Sequence, residues 1–159
     1  MTSTFVHLHL HTEYSLVDST IRIDRLVNAC AAAGMPAVAM TDDSNLFALV
    51  KFYGAAEKAG LKPIIGCDLW IGERGDDLTR ATVLCQNRDG YLRLSRLLST
   101  AYRERGKSER VFVPRHRMLA DNAGLVALLG RPSELIAAPD VDAADRALAC
   151  HHHRAAGGP

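Results

Sequence analysis

Polar and apolar positions change period several times along the chain, and each change marks an element boundary. Phe5-Val6-His7-Leu8-His9-Leu10-His11 alternates strictly, which predicts a first strand with His7, His9 and His11 on one face. Residues 12–20 are polar and turn-like and end that strand. Ile23, Leu26, Val27 and Cys30 recur at helical spacing, Gly34 stops the helix, and Pro36 prevents its resumption. Ala37-Val38-Ala39-Met40-Thr41 is short and uninterruptedly apolar, as a parallel strand covered on both faces is. The cap and turn cluster Asp42-Asp43-Ser44-Asn45 follows. A second amphipathic helix is predicted from Leu46 and Phe47 to Gly60, and a third strand over residues 62–71. This β-α-β-α-β order predicts an α/β fold with parallel strands and outer helices. Residues 81–85 predict a further strand, Tyr91 to Ala101 a third helix, and Leu125 to Leu129 a last strand, left as an unpaired apolar edge. After Pro132 the pattern weakens. Residues 139–149 fit one helix, and His151 to Pro159 reads as a low-complexity tail, giving a division into 1–132 and 133–159.

Composition fits an ordinary folded domain. The chain has 159 residues, 48% hydrophobic and 23% charged, so dominant disorder is excluded. No apolar run approaches the roughly 18 residues of a spanning helix, and the N-terminus lacks a basic leader, so a cytoplasmic location without membrane contact is expected. Cys30, Cys67, Cys85 and Cys150 form no CxxC pair and are expected as reduced thiols. The formal net charge of +1 hides an asymmetry. Eight basic residues between Arg93 and Arg117 face only Glu104 and Glu109, a net of +6. A solvated helix face explains this run, and a phosphate or acidic contact stays open.

The densest chemistry lies in His9, His11 and Asp18. Two imidazoles at i and i+2 can reach one cation, and a carboxylate in the following loop can complete or bridge the site. Asp42 and Asp43 end the second strand and Asp68 lies near the end of the third, so neighbouring strand ends deliver ligand-type groups to one rim. His9, His11, Asp18, Asp43 and Asp68 are therefore the candidate metal ligands. His7, deeper on its strand, reads as a satisfied core histidine.

Residues 5–18 (FVHLHLHTEYSLVD) resemble the opening motif of PHP (polymerase and histidinol phosphatase) domains. They are most similar to the branch that opens the alpha subunit of bacterial DNA polymerase III. Residues 39–47 (AMTDDSNLF) are similar to the second motif of the family, and residues 49–53 (LVKFY) match the polymerase branch. Residues 62–66 and the stretch from Gly90 to Tyr102 extend the likeness, which covers roughly residues 5–130. The resemblance implies a distorted (βα)7 barrel, here incomplete, with up to three divalent metals in active members. His9, His11 and Asp18 match ligand positions unchanged. Asp68 stands in place of Glu, Asp43 in place of His, and Arg80 in place of a further His. Zinc, manganese or magnesium is thus expected to be bound weakly or not at all.

The resemblance also implies a functional context. The parent protein would synthesise DNA, with its nucleotidyl-transfer carboxylates far downstream of this segment, so no catalytic residue is assigned here. Its partners would be the other polymerase III subunits, notably the proofreading exonuclease subunit, and DNA. Two rivals stay open. One is a stand-alone metal-dependent phosphoesterase, the other an interaction module without chemistry.

Overall fold

The computed structural model describes residues 5–16, 18–73, 78–106, 108, 110–129 and 135–136. The chain divides into two compact units, Met1–Asp68 and Leu69–Pro159.

In the first unit, α1 (Ile23–Ala32), β1 (Ala37–Met40), α2 (Leu49–Lys58) and the start of β2 (Lys62–Ile71) enclose one core. α1 buries Ile23, Leu26, Val27 and Cys30, the apolar stripe that its spacing dictates. Gly34 takes φ +67°, a left-handed turn that glycine adopts without a Cβ penalty. Every residue of β1 is buried. Phe52 and Ala56 of α2 close the core, and burying the Phe52 ring contributes on the order of 1.5–3 kcal/mol. β1 and β2 pair in parallel, with Ala39 opposite Ile64. α2 begins at Leu49, later than its apolar pattern predicts. Asn45 bends the preceding loop, its side-chain oxygen accepting the Phe47 N–H at 3.0 Å, and Phe47 stays 66% exposed.

The predicted first strand bends at Leu8 and His9 and forms no regular ladder. His7 bridges Val38 in parallel, with the Ala39 N–H donating to the His7 carbonyl at 2.8 Å. The next backbone bond runs from the Thr41 N–H to the Leu10 carbonyl. Three residues on one side thus oppose two on the other, which is the geometry of a bulge. Strict alternation predicts one shared face, but the extra residue re-aims the side chains after His7. A three-residue 3-10 turn, Glu13–Ser15, follows.

The second unit holds β3 (Thr79–Cys85), α3 (Arg88–Glu104), α4 (Arg115–Ala120), β4 (Leu125–Leu129) and β5 (Leu135–Ile136). Uniformly parallel pairing fails here. β3 and β4 run antiparallel, with Val83 opposite Ala127, and β4 and β5 also run antiparallel. Two helices intervene between β3 and β4, and α4 left no clear mark in the apolar pattern. β4 is also no bare edge, because β3 lies on one side and β5 on the other. The end of β2 meets this unit's loop at an Ile71–Val113 bridge. α3 buries Gly90, Leu94, Leu97, Leu98 and Ala101, and Asn87 caps it by accepting the Gly90 N–H at 2.9 Å. The helix predicted over residues 139–149 and the tail from His151 lie outside the described residues.

Candidate metal centre

The candidate centre lies within the first unit. His9 and His11 leave the N-terminal segment, and Asp68 leaves β2 where its backbone bridges Asp43. Asp68 Oδ2 lies 2.9 Å from His9 Nε2 and 3.0 Å from His11 Nε2. The two rings are 5.0 Å apart between centroids, inclined at 65°. These three residues offer ligand atoms within 4.8 Å of one another, the one such group among the described residues. The Asp68 side chain is 1% exposed and the His9 side chain 38%, so the group opens to solvent on one side only.

Asp18 stands behind the group. Its Oδ2 lies 3.1 Å from His11 Nδ1, so it fixes the ring through the nitrogen that does not face Asp68. Asp43 lies at the same strand ends but outside the group, and its Oδ1 accepts the Ser44 hydroxyl at 2.8 Å. Of the five candidate ligands, the structure brings three together and places a fourth, Asp18, in contact with one of them. His7 is half-buried and packs edge-on against Phe5, with ring centroids 4.8 Å apart. Arg80, in the second unit, places its guanidinium 5.7 Å from the centre of the Trp70 ring.

The donor set fits a cation. A neutral imidazole carries one N–H, yet each nitrogen of His11 faces a carboxylate oxygen, which only accepts. If Nδ1 donates to Asp18, the Nε2 lone pair points at Asp68. A positive charge between them, a second proton or a metal ion, removes that conflict. Two imidazoles and one carboxylate suit zinc and neighbouring divalent ions better than calcium.

Sequence reasoning missed what holds the segment in place. Thr41 pairs with Leu10 through its side chain, accepting the Leu10 N–H at 2.8 Å and donating to the Leu10 carbonyl at 3.1 Å. Fully buried Asp42 accepts the Thr12 N–H, the Thr12 hydroxyl at 2.8 Å and the Ser15 hydroxyl at 3.0 Å. Ser19 donates to the His11 carbonyl at 2.7 Å. The Thr-Asp pair at a strand end is the available signal, and the sequence alone reads it as turn and ligand chemistry. The buried Cys67 thiol donates to the Asp42 carbonyl at 3.2 Å. Burial, reinforced by the nearby Asp68 charge, pushes this thiol well above its ordinary range.

Known proteins agree with this architecture. The chain is 45% identical over 130 residues to the DNA polymerase III subunit alpha of Pseudomonas aeruginosa, covering 80% of this chain and 11% of that protein. It is 41% identical over 170 residues to the same subunit of Xylella fastidiosa strain Temecula1, covering 96% of this chain and 14% of that one. The chain thus spans between about a tenth and a seventh of these relatives' length. An amidohydrolase from Chromobacterium violaceum, solved with sulfate and no metal, shares the fold at a TM-score of 0.50 and 20% identity, over 63% of this chain and 34% of its own. No described helix is long and apolar enough to cross a membrane. The PHP domain profile matches residues 7–149, and the chain belongs to the PHP domain family.

Proposed function

We propose that this chain acts as the PHP domain of a replicative DNA polymerase alpha subunit, a folded platform that holds one divalent cation. The identity of 45% over 130 residues to such a subunit carries this reading. His9, His11 and Asp68 would hold the ion, and Asp18 would orient His11. A zinc or manganese ion bound there supplies Lewis acidity toward a phosphate oxygen. The chain's own part is to keep the donors converged, which Thr41 and Asp42 do by fixing the segment that bears both imidazoles. Three protein donors and three positions that depart from the family pattern, Asp43, Asp68 and Arg80, make this a weak site with one ion rather than a cluster. DNA synthesis belongs to the rest of such a subunit, and the proofreading exonuclease subunit is the partner this platform would serve in the cytoplasm.

A chimaera tests the reading. Residues 5–129 replace the matching segment of the Pseudomonas aeruginosa alpha subunit, and primer extension is measured. The chimaera is expected to extend primers and to retain the exonuclease subunit on a sizing column, whereas the isolated chain extends none. A chimaera that folds but neither extends nor retains its partner sinks the reading. The three-donor group also favours a second reading, a stand-alone metal-dependent phosphoesterase. Manganese-dependent hydrolysis of a simple phosphate ester, lost in Asp68→Ala, would select it.

A further inference from the structure

The outward stripe of α3 has no role in the metal centre. Arg88, Leu92, Arg96, Ser99 and Arg103 are all exposed, and at 3.6 residues per turn they fall within about 80° of one another. The buried residues of α3 occupy the opposite side. From Arg88 to Arg103 the stripe runs about 22 Å along the axis, with the three arginine backbone positions spaced roughly 11 Å apart. An ordinary solvated helix face intersperses acids with bases. The five stripe positions contain no acid, and exposed Asp89 lies about 20° beyond Arg96 around the helix. Glu104 lies off it and bonds Arg117 at 2.7 Å, while Asp121 binds Arg93 and reaches Arg96 only at 3.5 Å. Seven of the eight basic residues between Arg93 and Arg117 are arginine, the side chain whose planar fork matches phosphate oxygens.

We propose that this stripe is a docking track for the phosphate backbone of DNA. The choice of DNA as the polyanion rests on the polymerase reading above, whereas the acid-free arginine row is independent of it. A row of cations at a separation near the Debye length repels itself little, yet together offers a line of positive potential to a regularly charged polymer.

Fluorescence anisotropy of the full chain with a labelled 20-base-pair duplex, and with the matching single strand, tests this between 25 and 200 mM KCl. Each phosphate neutralised contributes a log–log salt slope of about −0.9 on duplex and about −0.7 on a single strand. The expected duplex slope is about −3. A triple variant, Arg88→Gln, Arg96→Gln and Arg103→Gln, keeps good helix formers on an exposed face and is expected to lose most of that slope and at least tenfold in affinity. A control with the same loss of charge in the first unit, Arg25→Gln, Lys58→Gln and Lys62→Gln, is expected to keep the slope. Far-ultraviolet circular dichroism confirms that both variants are folded. Binding to either DNA form with this pattern supports the track. Absence of binding at 25 mM KCl, an unchanged slope in the α3 variant, or an equal loss in the control overturns it. So does competition by polyglutamate as effective as by DNA, which would mark an acidic protein partner instead. None of these outcomes bears on the chimaera, so the two readings fail separately.

Discussion

Asp42 ties down Thr12 from both sides of its peptide: Oδ1 accepts the Thr12 N–H at 2.5 Å and Oδ2 accepts the Thr12 hydroxyl at 2.8 Å. Both residues are fully buried, and the Ser15 hydroxyl donates to the same carboxylate. Asp42→Ala strands three buried donors, each costing about 1–3 kcal/mol when left without an acceptor. The expected loss of stability is about 3 kcal/mol or more, read as a lower urea midpoint. Asp42→Glu keeps the charge but displaces the carboxylate by one bond, and an intermediate loss is expected. An Asp42→Ala midpoint equal to that of the parent chain would show that the bonds contribute nothing net.

Metal binding separates the roles of Asp68 and Asp18. Asp68 Oδ2 meets both imidazoles, whereas Asp18 touches only the far nitrogen of His11. Asp68→Ala is therefore expected to abolish zinc binding in a chelator competition. Asp18→Asn is expected to weaken it about 10- to 100-fold, the usual effect of losing a group that orients a ligand. At most one ion per chain is expected in the unsubstituted chain. Two ions per chain, or equal losses in both variants, would contradict this division.

The apolar periods made most of the fold legible. α1 and β1 buried the residues that their spacing selected, and β4 spans the predicted residues. What escaped were features whose causes are not periodic. The bulge after His7 depends on one extra residue between two backbone bonds, which alternation does not register. The antiparallel pairing of β4 with β3 leaves no periodic mark, and α4, a six-residue helix with only Met118 buried, is too short for a stripe to show. In the site, His9, His11 and Asp68 were legible as donors at neighbouring strand ends. The separate positions of Asp18 and Asp43 were not, because side-chain direction in a loop is set by hydrogen bonds such as Ser44 to Asp43.

The described cysteines are expected to be unreactive in the folded chain. Burial pushes Cys85 up to about 11 and raises Cys30. At pH 8 a thiol at 11 is about one part in a thousand thiolate, against roughly a tenth for one near 9, so alkylation of Cys85 should slow about 100-fold on folding. A thiol raised in the folded state contributes stability below the unfolded value of 9.0, and that contribution is lost as pH rises toward about 11. Iodoacetamide labelling with peptide mapping, native and in urea, reads each cysteine separately. Native labelling of Cys85 as fast as in urea would contradict the burial.

Gly90 and Gly124 are expected to be irreplaceable for a shared reason. A Cβ on Gly90 would sit 2.0 Å from the Gly124 carbonyl oxygen, so the first turn of α3 can lie against the turn before β4 only without a side chain. That turn also needs glycine at 124, where φ is +77° and a Cβ would meet the Asn87 side-chain oxygen at 2.6 Å. The Gln86 N–H donates to the Gly124 carbonyl at 2.9 Å, and Asn87 caps α3 beside it, so backbone on both sides is fixed. Gly90→Ala would ordinarily gain about 1 kcal/mol from helix propensity. Here the clash is with backbone and cannot be relieved by a rotamer change, so a net loss of several kcal/mol is expected, at the upper end for single substitutions. Gly54→Ala is the control, because it lies in α2 and a Cβ there meets nothing within 4 Å. It is expected to raise the melting temperature while Gly90→Ala and Gly124→Ala lower it. The same direction of change in Gly54→Ala and Gly90→Ala would show that the close approach between residues 90 and 124 is absent in solution.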